Sequence, residues 1–169
     1  MSTTPATDDY VANNETYAAS FTEGDLAGSP GRSIAVVTCM DARIDLTAAL
    51  GIANGDAHVL RNAGGIVTDD TIRSLCLSQR ALGTREIMVV HHTKCGVLGI
   101  DEAAFRRDLA TEVGIAPTWS VGTFDDVEDD VRQSIRRLQL SPFVPHTDQI
   151  RGFVYDVETG RLCEVDADG

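Results

Sequence analysis

Two short apolar stretches constrain this chain more than anything else in it: residues 33–39, SIAVVTC, and residues 86–92, EIMVVHH. Each has the length and β-branched content of a strand buried on both faces, the pattern of a parallel sheet. Each also ends in side chains that bind metals. A strand covered on both sides needs helices before and behind it, and the intervening sequence supplies them. Residues 57–62, AHVLRN, read as a third strand, and residues 69–82 as a helix with Ile72, Leu75, Cys76 and Leu82 on one face. Thr68 or Asp69 is placed to cap its start and Gly83 its end. Residues 42–50, closed by Gly51, read as a shorter helix with less regular apolar spacing. This alternation predicts right-handed crossovers and an α/β fold, a mostly parallel sheet with helices on its faces.

The remaining sequence extends that plan. Residues 124–140 place Val127, Val131, Ile135 and Leu138 along one stripe, with acids early and Arg132, Arg136 and Arg137 late, as the helix dipole favours. Residues 101–113 predict another helix ending at Gly114, and residues 117–122 a loop. Residues 150–157, a turn at 158–160 and residues 161–165 predict a closing hairpin at an antiparallel edge. Ahead of the core, Tyr10, Val11, Tyr17, Ala18 and Phe21 recur at helical spacing, and residues 23–32, rich in glycine, read as a linker. The expected organisation is an N-terminal helical arm and linker over residues 1–32 and a single α/β zinc-binding domain over residues 33–169. From pattern alone the arm packs either on a neighbouring subunit or on its own domain.

Charge and cysteine content narrow the function. Lys and Arg total 14 against 26 Asp and Glu, a formal net charge of -12 that disfavours nucleic acid and anionic membrane surfaces as partners. No apolar run approaches the roughly 18 residues a membrane span needs. Residues 1–10 have neither the basic start nor the apolar centre of a signal peptide. A soluble, cytoplasmic protein is expected. Cysteines at 39, 76, 95 and 163 are too widely spaced for a disulfide-dense secreted domain, which leaves reduced thiols or metal ligands.

His92 and Cys95 form a His-x-x-Cys pair of ordinary zinc spacing. Cys39 ends the first strand as His92 ends the later one, and in open α/β sheets ligands collect beyond the carboxyl ends of strands, where strand order reverses. If those strands are neighbours, Cys39, His92 and Cys95 converge. Three protein ligands leave a fourth position open, the arrangement of catalytic zinc. Cys76, on an apolar helix face, and Cys163, in the hairpin, read as core residues rather than further ligands. His91 points away from His92 by strand alternation, and His91, His58 and His146 read as hydrogen-bonded or surface histidines. Asp41 and Arg43 follow Cys39 in one tight loop. Arg43 can hold the Asp41 carboxylate bidentately so that it orients a zinc-bound hydroxide, or the two form a surface ion pair with Asp41 as a helix cap.

Cys39-Met-Asp41-Ala-Arg43, followed by His92-Thr-Lys-Cys95-Gly96, resembles the paired signature of the β-class carbonic anhydrases. Arg61-Asn62-Ala63-Gly64 is similar to that family's loop after the second strand, and residues 150–156 with Thr159-Gly-Arg-Leu to its closing hairpin. The resemblance implies zinc on Cys39, His92 and Cys95, an Asp41–Arg43 pair, and reversible hydration of carbon dioxide to bicarbonate by zinc-bound hydroxide. It also implies a homodimer or higher homo-oligomer in which N-terminal helices embrace the partner. In some members the aspartate matching Asp41 closes onto zinc unless the arginine holds it. Two thiolates offset the charge of the metal, so its bound water should ionise at higher pH and activity should rise on the alkaline side. The rival readings are hydrolysis of carbonyl sulfide or carbon disulfide on the same site, and a non-catalytic zinc-binding regulatory protein. The absence of a Cys-x-x-Cys pair argues against thiol redox chemistry.

Overall fold

A computed structural model describes residues 5–167 of the chain. Residues 1–4 of the expected arm and residues 168–169 of the expected domain therefore lie outside the described residues. The chain runs α1 (Ala6–Ala19), β1 (Ile34–Cys39), α2 (Leu46–Leu50), β2 (Ala57–Asn62), α3 (Asp69–Leu82), β3 (Glu86–His92), α4 (Glu102–Val113), α5 (Val127–Gln139), β4 (Ile150–Tyr155) and β5 (Leu162–Val165). The sheet order is β2-β1-β3-β4-β5, parallel through β4 and antiparallel only where β5 joins the edge. From β1 the chain moves to one side for β2 and crosses to the other for β3, so the strand order reverses between β1 and β3. A crevice opens beyond the carboxyl ends of strands at such a point.

Burial explains why β1 and β3 are nearly all apolar. Ala35, Val36 and Val37 are at most 1% exposed, as are Ile87, Val89 and Val90. Ala35, Val37, Ile87 and Val89 pack with Leu75 of α3 and Leu138 of α5 on one face of the sheet. Val36 and Val90 face the other way, toward Ile44, Leu46 and the loops beyond the strand ends. Each buried Val, Ile or Leu among them contributes on the order of 1.5–3 kcal/mol.

Most of the predicted elements form with shifted ends, and the shifts have local causes. Residues 101 and 126 are not helical: the Asp101 and Asp126 carboxylates accept from backbone N–H groups of the first turns of α4 and α5. Thr68, not Asp69, caps α3. The helix expected over residues 42–50 is only Leu46–Leu50, capped by the Asp45 carboxylate, because residues 40–45 form a loop in which an arginine from β2 takes the Asp41 and Ile44 carbonyls. β4 stops at Tyr155, since the Asp156 carboxylate accepts from Glu158 N and Thr159 N and starts the turn.

The arm lies apart. Every residue of α1 is exposed, so it does not pack on its own domain. The segment expected as a linker is pinned near its end, where Gly31 N and Arg32 N donate to Gly55 O and Asp56 O at the approach to β2.

Gly152 marks the closest approach of helix to sheet. A Cβ there would overlap the Val131 and Ile135 side chains of α5. We expect Gly152→Ala to force α5 off the sheet and to destabilise the protein by roughly 1–3 kcal/mol, read as a lower urea midpoint at unchanged slope. A wild-type midpoint would show that α5 is not held at that distance.

Candidate metal centre

The crevice between β1 and β3 gathers three side chains from separate parts of the chain. Cys39 ends β1, His92 ends β3, and Cys95 sits in the loop that follows. All three are buried, and their ligand atoms lie within 4.8 Å of one another. The Cys39 and Cys95 sulfurs are 3.9 Å apart. Two thiolates about 2.3 Å from one tetrahedral centre stand about 3.8 Å apart, so the observed spacing suits a shared metal.

His92 is oriented for the same purpose. Its Nδ1 donates to Thr93 O at 2.9 Å, which leaves the lone pair on Nε2. Nε2 is buried and has no hydrogen-bond partner. Burial also lowers the His92 pKa and favours the neutral imidazole that a metal needs. An orphaned acceptor facing two thiols fits a divalent ion of zinc's type. Among the described residues no other Cys, His, Asp or Glu joins the group.

Asp41 borders the cluster and is held away from it. Arg43 Nε donates to Asp41 Oδ1 at 2.9 Å and Nη2 to Oδ2 at 2.6 Å, while the Arg43 backbone N–H also donates to Oδ1 at 2.9 Å. Nη2 reaches further to Lys94 O at 2.9 Å, tying the Asp41 loop to the Cys95 loop. Asp41 Oδ2 is 3.8 Å from His92 Nε2. These bonds hold the Asp41 carboxyl well below the usual carboxylate range, chiefly through the Arg43 side chain. Asp45, not Asp41, is the helix cap.

Arg61, quoted in the sequence only as part of a loop motif, is a fixed part of the centre. From β2 its guanidinium donates to Cys39 O at 2.9 Å, Asp41 O at 2.7 Å and Ile44 O at 3.2 Å. A planar five-donor group is suited to holding several carbonyls in one turn. An apolar strand alternating with one arginine was the available signal; its target could not be read from spacing.

Gly65 lies directly behind Cys39. Its φ is +72°, and a Cβ would sit 2.8 Å from Cys39 N and 2.9 Å from the Thr38 carbonyl carbon. Gly65 thus abuts the backbone of one of the three clustered residues. His91 is fully buried on the side of β3 away from His92, against Asp130 of α5. His58 Nδ1 pairs with Ser78 Oγ at 2.7 Å, and His146 lies against Arg85. Cys76 and Cys163 are not core residues. Cys76 sits on the flank of α3, beside the face that buries Thr71, Leu75, Ser78 and Gln79, and Cys163 is exposed on the edge strand.

A sequence model of the carbonic anhydrase family matches residues 34–120. Beta-carbonic anhydrase 1 of Mycobacterium tuberculosis is 55% identical over 159 residues, 94% of this chain and 97% of that protein. A carbon disulfide hydrolase of Acidithiobacillus thiooxidans is 37% identical over 80% of this chain and 73% of its own length. The crystal structure of carbonic anhydrase from Streptococcus mutans superposes with a TM-score of 0.90 at 42% identity, covering 98% of this chain and all of that one.

Burial pushes the Cys95 thiol up to about 11, so without metal it carries its proton throughout the neutral range. A metal must displace that proton, and acid therefore opposes binding at every pH below that value. We expect the apparent affinity for Zn²⁺ to fall by about tenfold or more for each unit of acidification between pH 8 and 6, with proton release on loading. Chelator competition at several pH values measures this; a pH-independent affinity would remove Cys95 from the ligand set.

Proposed function

Because this chain belongs to the β-class carbonic anhydrase family, we propose that Cys39, His92 and Cys95 hold its zinc and that Asp41, set by Arg43, orients the reacting oxygen. The protein is a carbonic anhydrase, a lyase that interconverts carbon dioxide and bicarbonate in a zinc-dependent reaction. The observation that carries the ligand assignment is the buried, unpartnered Nε2 of His92 facing two thiols. When bound, zinc supplies the Lewis acidity that makes water a nucleophile near neutral pH, moderated here by two anionic ligands.

The chain's own residues supply orientation and exclusion of water. Asp41 Oδ1 receives two Arg43 donors and Oδ2 one, so Oδ2, the oxygen nearer His92, keeps a lone pair for the attacking oxygen. Its depressed pKa makes Asp41 an acceptor that aims a proton-bearing oxygen, not a base that removes the proton. Arg61 keeps the loop carrying Asp41 from relaxing into the helix that follows. Phe124 and Val97 share an apolar cluster with Cys39 and Cys95 and offer a wall suited to an uncharged, linear substrate.

Two further readings are ours. The arm packs on a second copy in a homodimer or larger assembly, supported by the exposure of Tyr10, Val11 and Tyr17, which leaves these large side chains of the arm uncovered in one chain. A cytoplasmic site of action is supported by thiols carried as free cysteines, and no described helix is long and apolar enough to cross a membrane.

We expect purified protein to hydrate carbon dioxide, with turnover rising toward alkaline pH. Cys39→Ser should lose zinc and activity together, whereas Asp41→Asn should keep its zinc and lose turnover on the order of a hundredfold. Full zinc occupancy in the serine variant would overturn the ligand set, and a wild-type rate in the asparagine variant would make Asp41 a bystander. Carbonyl sulfide and carbon disulfide assayed on the same preparation should react more slowly. For the arm, light scattering should report a dimer or larger for the full chain and a smaller species for a chain starting at residue 23; equal masses would place the interface elsewhere.

A further inference from the structure

His91 lies beside the ligand His92 and belongs to none of the roles above. It is fully buried, and its ring stacks on Phe124 with centroids 5.9 Å apart. Nε2 is 3.1 Å from Gly65 O. A carbonyl only accepts, so Nε2 carries a proton and donates it. Nδ1 lies 3.1 Å from Asp130 Oδ2 on the first turn of α5, without the geometry of a hydrogen bond, so among the described residues Nδ1 has no hydrogen-bond partner and the Gly65 carbonyl is the one group that holds the ring. The carbonyl so held belongs to the glycine whose α-carbon is pressed against the Cys39 backbone, with no room for a methyl group.

We infer that His91 is a positioning residue for the metal centre: its Nε2–H holds the Gly65 carbonyl, and Gly65 fixes the Cys39 backbone. The inference rests on Cys39 being a ligand. It adds a buried contact behind the Cys39 backbone, made from the side of β3 opposite the site. A side chain in this position acts on the metal as an outer-shell partner does, through the placement of the ligand, and such partners are worth about 10–100-fold in metal affinity.

Two substitutions separate the contacts. His91→Gln extends an amide N–H toward the position of Nε2 and keeps the bond to Gly65, whereas His91→Asn keeps an amide near Nδ1 and Asp130 and abandons Gly65. Metal-free protein of each variant is titrated with Co²⁺, following the thiolate-to-cobalt absorption and the affinity, and its melting temperature is measured separately. We expect His91→Gln to bind and absorb as wild type, and His91→Asn to bind about tenfold or more weakly with an altered band, at similar melting temperatures. Wild-type binding by both variants would overturn the inference, as would losses in both that merely follow lowered stability. Should His91→Asn fail to fold, His91→Met, which fills the same space without a donor, carries the test: weaker cobalt binding at unchanged melting temperature supports the role of the Gly65 contact, and wild-type binding refutes it. If the wild-type titration itself shows no thiolate-to-cobalt band, the ligand assignment fails first, and the two failures are thereby told apart.

Discussion

Parallel pairing of β1 with β3 holds the ends of two buried strands side by side where the chain switches from one side of the sheet to the other. Cys39 and His92 are far apart in sequence, and this pairing alone brings them together. Its stability comes from apolar side chains covered on both faces. Thr38 Oγ1 adds a buried hydrogen bond to Val90 O at 2.8 Å, one residue before the first ligand. The three clustered side chains are therefore arranged by the core, and the loss of thiol solvation on burial, visible in the raised Cys95 pKa, is offset there.

The second requirement is a polar loop that stays open beside that core. Residues 40–45 carry the carboxylate next to the cluster, and their carbonyls would otherwise enter the helix that starts at Leu46. Arg61 takes those carbonyls and Arg43 takes the carboxylate, so two of the few cations in a chain of net charge -12 serve one short segment. Exposed ion pairs elsewhere, such as Arg73 with Asp70, join flexible side chains in water and contribute little by comparison. The Asp41–Arg43 fork differs because three donors converge on one carboxylate in a fixed geometry.

The strands and longer helices were legible because burial on both faces or on one stripe leaves a periodic mark, and because caps such as Thr68 and Gly83 act locally. The convergence of Cys39, His92 and Cys95 was legible from residue type and strand-end position, and the closing hairpin from its turn. Residues 42–50 misled because helix propensity is a weak prior and an arginine from another strand overrode it. Cys76 was assigned to the core from a helix face that is wider in pattern than in packing. His91 was read as an ordinary histidine because nothing near it in sequence announces Asp130, which arrives on a helix formed much later in the chain.

By itself, then, the order of residues determined which segments must be buried, which side chains can bind a soft divalent metal, and that two of them stand at strand ends. These are properties of period and chemistry, which a linear chain carries in full. Tertiary structure alone decided which side chains share a space: Arg61 with the loop after Cys39, Gly65 with the Cys39 backbone, His91 with α5. Such contacts depend on distance between segments that the sheet order brings together, and distance in space leaves no period in the sequence.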